Sequence, residues 1–199
     1  SGAEMSIEQT SSLTLITGGA RSGKSTLALN LAEELISGGF DNPLFIATLQ
    51  PEDPEMDYRV ERHKKQRSQS WQTIEESIQL PELLETTVGN PIIIDCIAIW
   101  VTNLIFSTID LDIESIEIID QESMDRCETL VASQTERLIN AARESKAHVF
   151  YVTNEVGFGI VPSTPIGRLF RDILGHTNQT IAQSADRTFL TIAGKTLEL

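Results

Sequence analysis

The sequence has 199 residues, a length typical of a single domain that can bury a complete hydrophobic core. Its formal net charge is −14, and a surface this acidic repels nucleic acids and anionic lipids, so we expect neither as a partner. The only two cysteines, Cys96 and Cys127, lack metal-ligand spacing, which argues against a disulfide scaffold or a zinc site and predicts two buried, reduced thiols.

Strands and helices are predicted to alternate along most of the chain, which indicates the α/β class with a mostly parallel sheet. Residues 1–12 are polar, and we expect them to form a disordered tail before a single catalytic domain over 13–199. No apolar run is long enough to span a membrane, and the N-terminal segment lacks the features of a secretion signal. We therefore expect a cytoplasmic protein.

The first half of the chain predicts four strands and four helices. Glycines at 38 and 39 end the first helix, and the Asp53-Pro54 pair is typical of the start of the second. The predicted strands cover 13–17, 44–49, 71–74 and 91–95, and the predicted helices cover 24–36, 54–68, 81–88 and 98–106.

The second half begins with an acidic segment, 108–123, which we expect to be an excursion or a helical extension. A long helix follows, with one apolar face formed by Leu130, Val131, Leu138 and Ala141. The remaining predictions are a strand over 147–153, a glycine-containing loop over 154–162, helices over 166–175 and 179–185, and a last strand over 187–192.

A glycine-rich turn after the first predicted strand carries a strong functional signal. Residues 18–25 read GGARSGKS and match the phosphate-loop pattern GxxxxGK[ST] without a mismatch, between an apolar strand and an amphipathic helix. The glycines allow backbone N–H groups to turn toward phosphate oxygens, and the helix N-terminus adds a partial positive charge. We predict that the whole loop binds nucleotide, through Gly18, Gly19, Ala20, Arg21, Ser22, Gly23, Lys24 and Ser25.

Three side chains near this loop have specific predicted roles. Lys24 is predicted to reach the β- and γ-phosphates as a catalytic residue, and the Ser25 hydroxyl to ligate Mg²⁺. Asp95 ends a buried apolar strand, where α/β proteins bind ligands, and is the candidate second group for Mg²⁺. The alternative for Asp95 is a turn residue with no metal.

A basic cluster surrounds a further functional candidate, His63. Five of the fifteen basic residues lie between positions 59 and 67, and Arg59, His63 and Arg67 would share one face of a helix. Neighbouring cations disfavour the imidazolium, so a neutral His63 could attack an α-phosphorus and form a phosphoramidate. A solvated basic face with a surface histidine explains the same pattern without any chemistry.

Six stretches of the sequence are informative in combination: TGGARSGKS (17–25), FIAT (45–48), DPEMDYRVERHKKQRSQSW (53–71), VTNLIF (101–106), VTNEVGFGIVP (152–162) and GRLFRDILGHTNQTIAQSAD (167–186). Together they resemble the bifunctional adenosylcobinamide kinase/adenosylcobinamide-phosphate guanylyltransferase family of cobalamin assembly. The resemblance covers nearly the whole chain, and TNEVGxGIVP with TGGARSGKS is far more specific than a phosphate loop alone.

The resemblance implies two reactions. The aminopropanol hydroxyl of adenosylcobinamide is phosphorylated with GTP or ATP and Mg²⁺, and GMP is then transferred from GTP to that phosphate through a covalent GMP–histidine. It also implies a homotrimer and a P-loop three-layer fold with a mostly parallel, recombinase-like central sheet.

Carried over by position, the guanylylated histidine falls on His63. Some relatives have two adjacent histidines where this chain has Arg62 and His63, and the spacing from His63 to Arg67 favours His63. The resemblance implies guanosine contacts at Lys64, Lys65, Gln66, Arg67, Glu75 and Asp95, with Thr48, Leu49 and Gln50 near the nucleotide.

Two other functions fit the phosphate loop. One is a P-loop small-molecule kinase in which His63 is idle, which would phosphorylate its substrate without forming a covalent GMP adduct. The other is a non-enzymatic GTP-binding switch, which is disfavoured because the sequence contains no guanine-reading NKxD motif.

Overall fold

The computed structural model describes residues 11–49, 70–109 and 119–199 of the chain. In these residues the short apolar runs form strands whose side chains are mostly buried on both faces, as expected of a parallel sheet covered by helices. The strands are β1 Ser12–Gly18, β2 Leu44–Ala47, β3 Gln72–Glu75, β4 Ile92–Asp95, β5 His148–Val152, β6 Arg187–Ile192 and β7 Lys195–Glu198. The helices are α1 Lys24–Ser37, α2 Leu80–Thr86, α3 Ile97–Thr108, α4 Gln121–Glu144 and α5 Pro165–Ser184.

All seven strands belong to one sheet with the order β3-β2-β4-β5-β1-β6-β7. In the described residues, strands β1 to β6 run parallel to one another, and β7 is antiparallel to β6. The predicted α/β class and mostly parallel sheet are therefore confirmed. Since the parallel strands point the same way, the residues that follow β1, β2, β4 and β5 gather at one edge of the sheet, where ligands bind in folds of this type.

Helices cover the two faces of the sheet. Helix α1 packs against β1, β4 and β5, and it buries Ala28 and Ala32 completely, which lets the helix approach the strands closely. Leu27, Leu31 and Leu35 recur at helical spacing in α1, and they are only partly buried beside these alanines. On the other face, α4 and α5 contact β1 and each other.

The second half of the chain differs from its prediction in two elements. Residues 165–184 form one helix instead of two, because Ile173, Leu174, Thr177 and Ile181 continue a single buried face through Gly175. Strand β7 was not predicted. It follows a two-residue turn, Ala193-Gly194, in which both residues have positive φ (50° and 75°), and alanine is an unusual choice for such a turn.

Other element boundaries shift by a few residues, and β1 begins at Ser12, inside the segment predicted as a tail. The predicted helix over 54–68 lies outside the described residues. Of the acidic segment 108–123, residues 110–118 also lie outside them, and the end of the segment belongs to α4, which begins at Gln121. Of the apolar face predicted for this helix, Val131, Leu138 and Ala141 are buried, and Leu130 is partly buried against the core.

The β6–β7 hairpin packs against the turn that follows β1. The Thr191 and Ser22 hydroxyls, both buried, are 2.6 Å apart, and the Gly194 N–H donates to the Ser22 carbonyl over 2.9 Å. A Cβ atom added to Gly18 would lie 2.5 Å from Thr191 Oγ1 and 2.7 Å from Ser22 Oγ, so only glycine fits here. The last strands therefore fix the shape of the turn at residues 18–23.

We expect the Ser22–Thr191 hydrogen bond to contribute measurably to the free energy of unfolding. Either Ser22→Ala or Thr191→Val leaves a buried hydroxyl without this partner, at a cost of about 1–3 kcal/mol. The double variant Ser22→Ala/Thr191→Val removes both hydroxyls, so its loss should be smaller than the sum of the two single losses by about 0.5 kcal/mol or more. Urea unfolding of the four proteins measures this coupling, and strictly additive losses would show that the hydroxyls do not stabilise each other.

Candidate nucleotide-binding site

The turn between β1 and α1 holds the residues with the phosphate-loop sequence. Gly23 precedes the first residue of α1 with a φ of 105°, a conformation that side chains rarely adopt, and Arg21 has a φ of 55°. Because Gly23 completes this turn, α1 starts directly at Lys24 and directs its N-terminus toward the carboxyl edge of the sheet. The local backbone is therefore suited to present N–H groups to an anion, as predicted from the glycines.

Lys24 lies over this turn. Its side chain is largely buried, at 8% exposure, and its Nζ donates a hydrogen bond of 2.6 Å to the Gly19 carbonyl. Burial lowers the pKa of the Lys24 ammonium, and the neighbouring Cys96 and Asp95 act in the opposite direction. A bound phosphate would add negative charge beside this group, which compensates the cost of burying it.

Ser25, the second residue of α1, contacts the end of β4. Its Oγ donates a hydrogen bond of 2.6 Å to Asp95 Oδ2. Strand β5 lies between β1 and β4 in the sheet, so this contact joins the phosphate-loop helix to a strand two positions away. The structure thus brings together Lys24, Ser25 and Asp95, three of the residues selected from the sequence.

A second layer of hydrogen bonds holds Asp95 in place. Thr48 Oγ1 accepts from the Cys96 N–H (2.7 Å) and donates to the Cys96 carbonyl (2.8 Å), and the Thr48 N–H donates to the Asp95 carbonyl (3.2 Å). Asn103 Nδ2 in turn donates to the Thr48 carbonyl over 3.1 Å. Thr48 is fully buried, and its side chain bonds the backbone of Cys96, the residue that follows Asp95.

The thiol nearest this site, that of Cys96, has low reactivity. Burial, with a smaller contribution from the charge of Asp95, raises the pKa of Cys96 to about 12. The thiol therefore stays protonated at neutral pH and is a poor nucleophile. Cys127 is also buried, and burial raises its pKa too, so both cysteines are the reduced, buried thiols that the sequence predicted.

Glu75 and Leu49 lie further from the phosphate loop. Glu75 is exposed at the end of β3, and Ala47 of β2 pairs with both Glu75 and Asp95. Two strand spacings place the Cα atoms of Glu75 and Asp95 about 10 Å apart at the same edge. Leu49 is partly buried just after β2. Gln50 and the predicted guanylyl site, His63, Lys64, Lys65, Gln66 and Arg67, lie outside the described residues.

The loop that follows β5 adjoins the phosphate loop, which the sequence did not indicate. The Glu155 N–H donates to the Gly18 carbonyl over 3.0 Å, and the Glu155 carboxylate accepts from the Gly157 N–H over 2.6 Å. The Asn178 side chain of α5 bonds both Thr153 Oγ1 (2.8 Å) and the Asn154 carbonyl (3.1 Å). The loop predicted over 154–162 is thus part of the surroundings of the site.

Two other features are absent from the part of the chain that the structure describes. Within residues 11–49, 70–109 and 119–199, no group of three or more His, Cys, Asp or Glu side chains is arranged to hold a metal ion. No helix in the same residues has the length and apolar character needed to cross a membrane.

Among solved structures, the chain resembles the flagellar accessory protein FlaH from Methanocaldococcus jannaschii. The match covers 93% of this chain and 74% of that one, with a TM-score of 0.47 and 15% sequence identity. A likeness this distant says nothing about function.

Sequence comparisons are much more specific. A family model described as cobinamide kinase / cobinamide phosphate guanyltransferase matches residues 14–199. The bifunctional adenosylcobalamin biosynthesis protein CobU of Escherichia coli (strain K12) is 38% identical over 183 residues, and CobU of Salmonella typhimurium is 39% identical over 184 residues. Each alignment covers 90% of this chain and 95% of the relative. The chain therefore belongs to the cobinamide kinase / cobinamide phosphate guanyltransferase family.

Proposed function

We propose that the chain phosphorylates the aminopropanol hydroxyl of adenosylcobinamide and then transfers GMP from GTP to that phosphate, giving adenosylcobinamide-GDP. At the level of the family, the chain is a bifunctional cobinamide kinase and cobinamide phosphate guanyltransferase of adenosylcobalamin biosynthesis. The observation that supports the residue roles best is the 2.6 Å bond from Ser25 to Asp95 beside the buried Lys24. A homotrimer, a cytoplasmic location and a single catalytic domain over 13–199 complete the proposal.

The kinase step requires positioned charge more than covalent chemistry. In phosphoryl transfer the acceptor oxygen bonds the γ-phosphorus while the bond to the β–γ bridging oxygen breaks, so negative charge moves onto the nucleoside diphosphate. We assign Lys24 to stabilise the β- and γ-phosphates through this change, assisted by the N–H groups of residues 18–25 and the N-terminus of α1. The low exposure of Lys24 strengthens its interaction with phosphate, because less water screens the charge.

The donor atoms around Ser25 suit Mg²⁺. Hydroxyl and carboxylate oxygens are hard ligands, and Mg²⁺ is commonly held by one or two such groups together with substrate phosphates and water. Because the Ser25 hydroxyl directs its proton to Asp95, its oxygen lone pairs remain available for a cation. When bound, Mg²⁺ neutralises charge on the β- and γ-phosphates, and Ser25 and Asp95 are the residues that we propose hold it.

For the guanylyl step we propose His63 as the nucleophile. Its imidazole nitrogen bonds the α-phosphorus of GTP as the bond to pyrophosphate breaks, and the acceptor phosphate later displaces the histidine. The other two histidines are poorly placed. His148 lies at the start of β5, at the edge of the sheet opposite the phosphate loop, with Nδ1 2.7 Å from Ser12 Oγ. His176 lies on α5. The protonated Cys96 and Cys127 thiols are also unsuited to this role.

Replacing Lys24 should abolish most turnover. Lys24→Ala removes the charged group that contacts the phosphates, and losing one preorganised contact of this kind lowers the rate by about 10²–10³. Initial rates of cobinamide phosphorylation with ATP or GTP measure the effect. Arg126→Ala is the control, because Arg126 is an exposed cation on α4 that bonds the Glu122 carboxylate and the Ser123 hydroxyl of its own helix. Turnover by Lys24→Ala equal to that of the control would rule out the assigned role.

Replacing His63 should separate the two activities. His63→Ala is expected to form no covalent GMP adduct yet to keep phosphorylating cobinamide, since phosphoryl transfer does not need an imidazole nucleophile. Incubation with α-labelled GTP and Mg²⁺, followed by an acid-lability test of protein-bound label, measures the adduct. His176→Ala is the matched control and should label fully. Label on the His63→Ala protein would place the nucleophile elsewhere, whereas an unlabelled native protein with kinase activity would indicate a kinase in which His63 is idle.

Replacing Asp95 should raise the Mg²⁺ requirement. Asp95→Asn keeps an oxygen that accepts the Ser25 hydrogen bond but removes the charge, so we expect the Mg²⁺ concentration for half-maximal activity to rise about tenfold or more, and the His63 adduct to form more slowly. Thermal stability should be nearly unchanged or slightly raised, because a partly buried charge is removed. Titrations of adduct formation with Mg²⁺ in the native and variant proteins provide the measurement. Superimposable curves would show that Asp95 is a turn residue with no role in binding Mg²⁺.

A further inference from the structure

Three apolar side chains of the loop after β5 point into water. Phe158 is 85% exposed, Ile160 96% and Val161 63%. We call these three side chains the apolar rim. The other large apolar side chains with high exposure lie elsewhere: Val88 before β4, Phe106 on α3, and Ile192, Leu197 and Leu199 in and just after the β6–β7 hairpin. Three such side chains within four residues are costly to hold in water, and exposed apolar patches of this kind mark binding surfaces more often than accidents of sequence.

The backbone that carries the apolar rim is held at both ends. At its start, the Glu155 N–H donates to the Gly18 carbonyl and Val156 packs against the core. At its end, Arg168 Nη1 donates to the carbonyls of Pro162 (2.9 Å) and Ser163 (2.8 Å). The loop is therefore built to hold the rim out from the protein, immediately beside the phosphate loop.

The conformation of the turn within this segment is also fixed, by a hydrogen bond between Glu155 and Gly157. The Glu155 carboxylate accepts the Gly157 N–H, and a Cβ atom at Gly157 would lie 2.8 Å from Glu155 Oε1. A larger residue at position 157 would displace that carboxylate and the turn that it closes. The position of Phe158 thus depends on a local hydrogen bond and not on burial of its own side chain.

We propose that the apolar rim is a docking surface for the corrin macrocycle of cobinamide, an inference that rests on the proposed function. The reacting hydroxyl must come within about 3–3.5 Å of the γ-phosphorus above residues 18–25. The macrocycle that carries this hydroxyl is far larger than the reacting group, so it must rest on protein next to the phosphate loop. The segment bonded to Gly18 provides apolar contact there, and binding energy from this non-reacting part of the substrate orients the hydroxyl.

The extent of the apolar rim fits a small molecule better than a second protein copy. Three side chains of these sizes and exposures present on the order of 400 Å², which is within the range of functional patches on single proteins. A stable protein–protein interface needs about 800 Å² from each partner. The methyl groups of the macrocycle provide apolar surface that can pack against the rim, while its polar side chains can stay in water.

The test compares Phe158→Ser/Ile160→Ser with Val88→Ser and the native protein. Val88 is equally exposed, at 88%, but precedes β4 at the opposite edge of the sheet. We expect the double variant to raise the KM for cobinamide by about tenfold or more, with the KM for nucleotide and the yield of covalent GMP adduct unchanged. Equilibrium dialysis with cobinamide, read by its visible absorbance, should show the same weakening without any turnover. Val88→Ser should behave as the native protein does.

Unchanged cobinamide affinity in the double variant would overturn the docking surface while leaving the proposed function intact. A native protein that neither binds nor phosphorylates cobinamide would end the proposed function and this inference with it. Sedimentation of all three proteins tests the remaining possibility, that a second copy of this chain occupies the rim. If the double variant changes its oligomeric state while its cobinamide affinity in dialysis stays native, the rim is an interface between copies and the inference is wrong.

Discussion

The close packing of Gly18 against Thr191 fixes where the phosphate loop lies. Strand β1 lies between β5 and β6, so the chain leaving β1 must pass between two neighbours, and no side chain fits at residue 18. Thr191 on β6 and Glu155 after β5 then bind the turn from either side. The loop that we propose to hold the phosphates is thus supported by both flanking strands and does not depend on its own sequence alone.

The same strand order explains how the candidate site extends across the sheet from β1 to β4. With β5 inserted between β1 and β4, Asp95 contacts the phosphate loop through the N-terminal turn of α1, where Ser25 bonds it. That contact requires the backbone at Asp95 to keep a fixed position, and the buried hydrogen bonds of Thr48 and Asn103 hold it there. A buried polar network with its partners satisfied is well suited to fix one geometry, because any loosened member pays the cost of an unpaired polar group.

Much of the fold and part of the site were predictable from the sequence, because their signals are local. The phosphate loop is defined by consecutive residues, and Asp95 follows a run of isoleucines whose carboxyl end must lie at the same edge. The Gly18–Thr191 and Gly18–Glu155 contacts join residues far apart in the chain and leave no local pattern. Strand β7 was missed since Ala193 is an uncommon residue in a tight hairpin turn, and α5 was divided because Gly175 resembled a helix end although its buried face continues. The roles of His63 and its basic neighbours remain predictions.

Two amide hydrogens donate to carbonyl groups of the phosphate loop from opposite sides. The Glu155 N–H bonds the Gly18 carbonyl, and the Gly194 N–H bonds the Ser22 carbonyl. Each amide can exchange with solvent deuterium only when its own side of the scaffold separates from the loop. Their relative protection in hydrogen exchange therefore reports which flank opens first, and a nucleotide that tightens the loop as a whole would slow both amides together.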